Sequence, residues 1–296
     1  MPACVAPINS VPRQGFLDSL LLRLERRIAV PSLRFRLFAL AALVSISSAQ
    51  AANLKVGVVQ QFTDYIREVE ARLAPRFQGQ DFLWSDLSEE ARKAVATGQI
   101  AVEPAKNKGL IEIKGGMIQD WQGAVFIEGA RLDTVLRVVQ DYANHAKYYS
   151  PDVLTSKVVS HTGNHWLVMM RTLNTKLFLS DVLETENDII FENLKATKVY
   201  GLAKSTRIQE VANPGKGDEH LLPEGHDRGL LWRLYGYWFY EERDGGVYVE
   251  CESVTLTRDV PLGMGAVLAP IIRNVPGESL RSSLDHTRQA VLNETR

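Results

Sequence analysis

The sequence predicts an α+β protein: a curved antiparallel sheet of about seven strands around a long C-terminal helix, preceded by a small helical segment. Three observations predict it. Residues 119–292 read as one strand, one helix, a long run of strands and a closing helix. The strands follow one another at hairpin distance, which pairs them antiparallel without crossover helices. Leu280, Leu284, Thr287 and Val291 then form one stripe, as on a helix laid against a sheet.

The first 52 of the 296 residues read as an export signal. Arg34 and Arg36 precede the apolar run Leu37–Ser48, and Ala49-Gln50-Ala51 gives a small-x-small cleavage site. The run is shorter than the ~20 apolar residues needed to cross a bilayer. Cleavage is expected near Ala51/Ala52, so that the mature chain starts near Ala52, is periplasmic or secreted, and has no stable membrane span. The positive region begins late, which fits a start codon placed too far upstream.

Without residues 1–51 the chain keeps 28 basic and 33 acidic residues, a net charge of −5. A mildly acidic chain lacks the basic footprint of a nucleic-acid binder. Cys4 lies in the signal, so Cys251 stands alone in the mature chain and no intramolecular disulfide forms. In Val247-Tyr-Val-Glu-Cys-Glu it reads as a small buried side chain.

Residues 53–118 form the N-terminal segment. Val59, Phe62, Ile66, Val69 and Leu73 recur at helical spacing and the helix stops at Pro75. A second helix fits 86–97, with Asp86 as cap, Leu87, Ala91, Ala94 and Val95 as its apolar face, and Gly98 as its stop. Alternation in Ile111-Glu-Ile-Lys suggests a strand. A piece this small is expected to pack on the main domain, 119–296.

The main domain opens with a strand at 120–129. A helix follows, with Leu132, Val135, Leu136, Val139 and Ala143 on one face, and Tyr148-Tyr149-Ser-Pro151 closes the unit. Gly163-Asn164 joins two extended runs, 156–161 and 165–172, as a tight hairpin. Further extended runs lie at 177–185, 188–194 and 204–211. Residues 230–242 and 247–258 form the clearest pair, across Asp244-Gly245-Gly246. The stretch 260–276 holds Pro261, Gly263, Gly265, Pro270 and Pro276 and reads as a loop.

This order resembles the START-like, or helix-grip, superfamily, which includes lipid-transfer domains, polyketide aromatase/cyclases and the coenzyme Q-binding branch. The resemblance covers roughly 119–292. It rests on the strand ending at Glu128-Gly129-Ala130, the 132–142 helix with its Tyr-Tyr-Ser-Pro tail, the Asp244-Gly-Gly hairpin and the Pro/Gly stretch before the last helix. It implies a sheet curved around a long helix with an apolar cavity between them.

Alternate strand residues share a face. Trp166, Val168 and Met170 form an apolar set, and so do Leu230, Trp232, Leu234, Trp238 and Tyr240, so the even-numbered positions are expected to face a ligand. Arg171 is the candidate anchor for an acidic head group. Apolar residues of 260–276, Met264, Val267, Leu268, Ile271 and Ile272, are candidates for a gate. The alternative is that these aromatics fill a closed core.

Asp141 and His145, four apart, would share a helix face as an acid–base pair. His220 and His226 lie among four carboxylates in 218–227, but their spacing matches no metal site. No Walker loop, Rossmann fingerprint, nucleophile elbow or zinc cysteine cluster is present, so neither a metal nor a cofactor is implied. The reading favours a carrier for a lipid or other hydrophobic small molecule. A cyclase- or hydrolase-type enzyme in the same cavity and a protein-interaction module are the alternatives. N-terminal sequencing of exported material is expected to start at Ala51 or Ala52; a cytoplasmic product retaining Met1 refutes the signal.

Overall fold

The structure, a computed structural model, describes residues 52–78, 81–176, 179–227, 231–259 and 265–294, with backbone alone at 52–53, 174–176, 179–180 and 265–273. The signal region, Leu230 and Met264 lie outside these residues.

The N-terminal segment holds β1 (Ala52–Asn53), α1 (Val56–Leu73), α2 (Glu89–Ala96), β2 (Ala101–Pro104) and β3 (Leu110–Ile113). The main unit runs through β4 (Gly116–Glu128), α3 (Leu132–Gln140), α4 (His145–Tyr148), β5 (Val153–Thr162), β6 (His165–Lys176), β7 (Leu179–Lys195) and β8 (Lys198–Ala212). Two short strands follow, β9 (His220–Leu221) and β10 (His226–Asp227), then β11 (Arg233–Arg243), β12 (Gly246–Thr257) and α5 (Gly265–Glu294). The main sheet runs β2-β4-β12-β11-β8-β7-β6-β5, with β3 also on β4 and β9 on β8. Its seven long strands, β4 to β5 in that order, are antiparallel throughout and carry α5 on one face. This is the helix-grip arrangement.

Several sequence expectations change in detail. The runs expected at 177–185 and 188–194 are one strand from 179 on, β7, which passes unbroken through Glu186–Asn187 while the bulge at this point falls on β8, where Thr206 is the extra residue. β8 starts six residues before 204, and β2 was not anticipated. The stretch from 265 to 276 is helix, not loop, and belongs to α5. Pro270 and Pro276 each delete one backbone donor, to Ala266 and Ile272, and the remaining ladder carries the helix on. In α1 the buried face uses Val58, with Val59 only half-buried. α2 is capped by Ser88, whose side chain accepts from the Ala91 N–H, while Asp86 pairs with Arg243 and Leu87 is 63% exposed.

Register assigns every residue to one of two faces. Val125, Val249 and Tyr240 stand in one row, and Gly123, Cys251 and Trp238 in the next. This helix face packs against α3 and α5 in a core that includes Val135, Leu280, Leu284 and Val291. The intervening residues, Tyr237, Phe239, Val254 and Leu256 among them, form the back face and pack against α1 through Phe62, Ile66, Val69 and Leu73. Burying a side chain such as Phe62 contributes about 2 kcal/mol, so α1 is an integral layer of the fold.

α5 seats where the sheet offers no Cβ in its way. A Cβ on Gly277 would lie 2.6 Å from the Trp121 ring, and one on Gly123 would lie 2.9 Å from Leu284 Cδ1 and 3.1 Å from the Ala101 carbonyl oxygen. These two glycines fix the approach of α5 to β4. Gly277→Val is expected to destabilise the protein by about 1–3 kcal/mol through overpacking, read as a lower urea midpoint; an unchanged midpoint would contradict the close seating.

Candidate functional site

The helix face is unevenly covered. α5 packs on β4, β12 and β2. Towards β6, β8 and β11 the same face holds apolar residues that stay half-buried although their strands are paired on both sides: Met170, Ala203, Leu234 and Trp238. Around them aromatic rings line up. Trp238 stacks on Tyr240 at 6.4 Å between centroids, Phe191 on Tyr240 at 6.3 Å, and Tyr142 meets Trp166 edge-on at 6.3 Å.

Most of the sequence-expected residues meet here. Trp166, Val168 and Tyr240 are buried in the helix-side core, and Met170 and Trp238 are packed against it. Leu234 shares the face of Trp238 by alternation in β11. Two residues do not join them. Trp232 precedes β11, so strand alternation does not govern it. It is buried in the back-face core, and its indole N–H donates to Asp227 Oδ1 at 3.2 Å. Arg171 points to the back face, where its Nε donates to Glu184 at 2.8 Å and its Nη1 to Glu219 at 2.7 Å. Its charge is taken by protein carboxylates, and it does not anchor a head group on the helix face. The side chains of Val267, Leu268, Ile271 and Ile272 lie outside the described ones.

The Asp141–His145 pair does not form. α3 ends at Gln140, and Asp141 accepts from Asn144 Nδ2 and the Tyr148 hydroxyl. His145 turns inward, its Nε2 lying 3.2 Å from the Val139 carbonyl oxygen, and burial pushes it down to about 4, so the ring is neutral. His220 and His226 are exposed and sit in separate short strands. Among the described residues no group of His, Cys, Asp or Glu is arranged to hold a metal ion. Cys251 is a buried free thiol.

Sequence reasoning missed two constellations. The first is a set of tyrosines at the α3–α4 end of the helix face. Tyr142, Tyr149 and Tyr240 lie close enough to influence one another's ionisation, and burial drives all three upward. The Tyr149 hydroxyl meets Thr287 Oγ1 of α5 at 3.0 Å. The Tyr-Tyr-Ser-Pro tail was visible in the sequence, but nothing there brings Tyr240 to it.

The second is ionic and lies on the back face. Arg72 of α1 grips Glu252 with both terminal nitrogens, at 2.9 and 2.6 Å, and reaches Asp120 at 3.4 Å. The Tyr65 hydroxyl donates to Asp120 Oδ2 at 2.7 Å. Arg76 Nη2 meets Glu250 at 3.0 Å, and Glu250 also accepts from the Trp84 and Ser85 N–H groups at 2.7 and 2.8 Å. Glu250 and Glu252 alternate with apolar residues in β12, which reads as an exposed polar edge; the N-terminal segment covers them, with Arg72 of α1 on Glu252 and Arg76, Trp84 and Ser85 after it on Glu250. A surface hollow of about 410 Å³ borders this cluster, lined by Tyr65, Glu68, Val69, Arg72, Ala105 and Lys106.

No family model matches the chain, and no curated protein matches it. Among solved structures, it is similar to the Zhui aromatase/cyclase of Streptomyces sp. R1128, at 11% identity and a TM-score of 0.40 over 60% of this chain and 96% of that one. It is similar to a STAR-related lipid transfer protein fragment from Xanthomonas axonopodis, at 16% identity and a TM-score of 0.36 over 60% of this chain and 99% of that one. Human STARD10 aligns at 8% identity and a TM-score of 0.38 over 70% of this chain and 80% of that one.

The ionic cluster has a pH signature. Burial, reinforced by the charge of Glu252, raises Asp120 to about 7, against the pull of Tyr65 and Arg72. The folded state therefore keeps a proton that the unfolded chain releases near 3.8. Stability from this group is present at low pH and is lost as pH rises through about 7. His145 acts oppositely over about 4 to 6.5, since the unfolded chain protonates it first. Comparison with Asp120→Asn separates the two. The variant is expected to gain stability relative to the parent as pH rises from 5 to 8 in urea melts; a difference independent of pH would show Asp120 ionised throughout.

Proposed function

We propose that the mature protein is an exported carrier that holds a lipid or other hydrophobic small molecule on the helix face of the sheet. One observation carries this reading: Met170, Ala203, Leu234 and Trp238 remain half-buried on interior strands, and at Trp238 the contrast between faces is sharpest, since its back-face neighbours Tyr237 and Phe239 are fully buried in the core that includes α1. Apolar area left open in the middle of a sheet is area a ligand covers, at about 25 cal/mol per Å² removed from water. Aromatic rings and a methionine give that surface an adaptable lining. The signal pattern at 34–51 supports export, and an aqueous compartment is where an apolar molecule requires a carrier.

The back face supplies an internal control, because Met170 and Arg171 are chain neighbours on opposite faces. The neutral fluorescent probe N-phenyl-1-naphthylamine is expected to bind the full mature chain saturably and with 1:1 stoichiometry. Met170→Lys should abolish that binding, and Arg171→Met should leave it intact. A probe that fails to saturate, or two variants that behave alike, would remove the helix face as the binding surface.

A further inference from the structure

The polar groups on the helix face are all of one kind. From the Val249–Tyr240 row to the Thr185–Ile208 row, the positions facing α5 on β4, β6, β7, β8, β11 and β12 carry no charged side chain among the described residues. They carry neutral hydrogen-bonding groups instead: Gln119, Thr185, Asn187, Ser205, Ser253 and Thr255. Charges appear at the ends of this face, and those fixed by register are acidic. Glu242 lies at one end, where it accepts from the Leu132 N–H at 2.7 Å, and Asp181 and Glu210 lie at the other. The cations resolved on these strands, Arg171, Lys198, Lys204 and Arg207 among them, pair on the back face with Glu184, Glu241, Glu70 and Glu186.

Two of the three clustered tyrosines have no hydrogen-bond partner among the described residues. Tyr142 is 3% exposed and Tyr240 is 2% exposed, and of the three tyrosines only Tyr149 forms a side-chain hydrogen bond among the described residues. A tyrosine hydroxyl without a protein partner is left to donate to, or accept from, a ligand oxygen. Tyr142 and Tyr149 flank the His145 ring at 4.7 and 4.8 Å, the Tyr149 hydroxyl is tied to Thr287, and the row Tyr142–Trp166–Phe191–Tyr240 is continuous through ring contacts of 6.3, 5.4 and 6.3 Å. Among the described residues of these six strands an anion on this face meets no cation, and an unpaired buried charge is far costlier than an unpaired hydroxyl. A ligand hydroxyl or carbonyl oxygen satisfies a tyrosine hydroxyl at no such cost.

Resting on the carrier reading, we infer that the ligand is an uncharged molecule, largely apolar, whose hydroxyl or carbonyl oxygen is held by Tyr142 and Tyr240, and that its anionic counterpart is rejected. The matched probes are decan-1-ol and decanoate, displacing N-phenyl-1-naphthylamine from the full mature chain at pH 8. Decan-1-ol is expected to displace the naphthylamine at a concentration at least about tenfold lower than decanoate, a factor equal to about 1.4 kcal/mol. The Tyr142→Phe/Tyr240→Phe double variant should weaken decan-1-ol about five- to tenfold once each displacement is corrected for the variant's own naphthylamine affinity, as expected for one or two lost hydrogen bonds, while an unchanged circular dichroism spectrum and urea midpoint report an intact fold. Equal or tighter displacement by decanoate overturns the inference and leaves the carrier standing. So does a double variant that keeps full affinity for decan-1-ol. A naphthylamine that does not bind the parent chain overturns both.

Discussion

The buried carboxylates of β4 and β12 are the constraint on which the architecture depends. Asp120, Glu250 and Glu252 stand on the back face at 0%, 2% and 1% exposure, a position no carboxylate holds without compensation. α1 and the turn after it supply that compensation through Arg72, Arg76 and Tyr65, and the backbone N–H groups of Trp84 and Ser85 add to it at Glu250. The apolar stripe of α1 would rest on many hydrophobic surfaces; these charges admit it in one register only. Arg76 adds a second hold, its guanidinium lying 3.7 Å over the Phe239 ring.

Closing one face determines what the other can do. With α1 fixed on the back and β2 and β3 extending the β4 edge, the sheet is anchored where α5 seats, at Gly123 and Gly277. The strands further from that seat, β6, β8 and β11, keep Met170, Ala203, Leu234 and Trp238 partly open among otherwise buried helix-facing residues. The protein thus separates its chemistry by face: ion pairs that hold layers together on one side, and apolar rings with neutral hydrogen-bonding groups on the other. That separation is the physical basis of the proposed preference for uncharged molecules.

Legibility differed between elements for identifiable reasons. α1, the 163–164 hairpin, the 230–258 pair and the stripe on α5 were readable because each is a local pattern set by spacing or turn chemistry. Trp232 and Arg171 were misplaced for two different reasons. Trp232 lies one residue before its strand begins, where alternation does not apply, and Arg171 is committed to Glu184 and Glu219, of which Glu219 lies 48 residues away. Pro270 and Pro276 argued for a loop because local rules price a lost backbone donor without the packing that keeps the helix going beyond them.

The sequence by itself determined the α+β class, the order of the long strands and the apolar faces of the helices, since periodicity and turn residues act over a few neighbours. Only the tertiary structure decided that Glu250 and Glu252 are interior, that Tyr240 joins the aromatic row of Tyr142, and that the described strand residues of the helix face carry no charge between its ends. Those outcomes depend on which strand lies beside which and on the helix that covers them. A side chain's solvation is set by contacts across dozens of residues, and no window of the chain contains them.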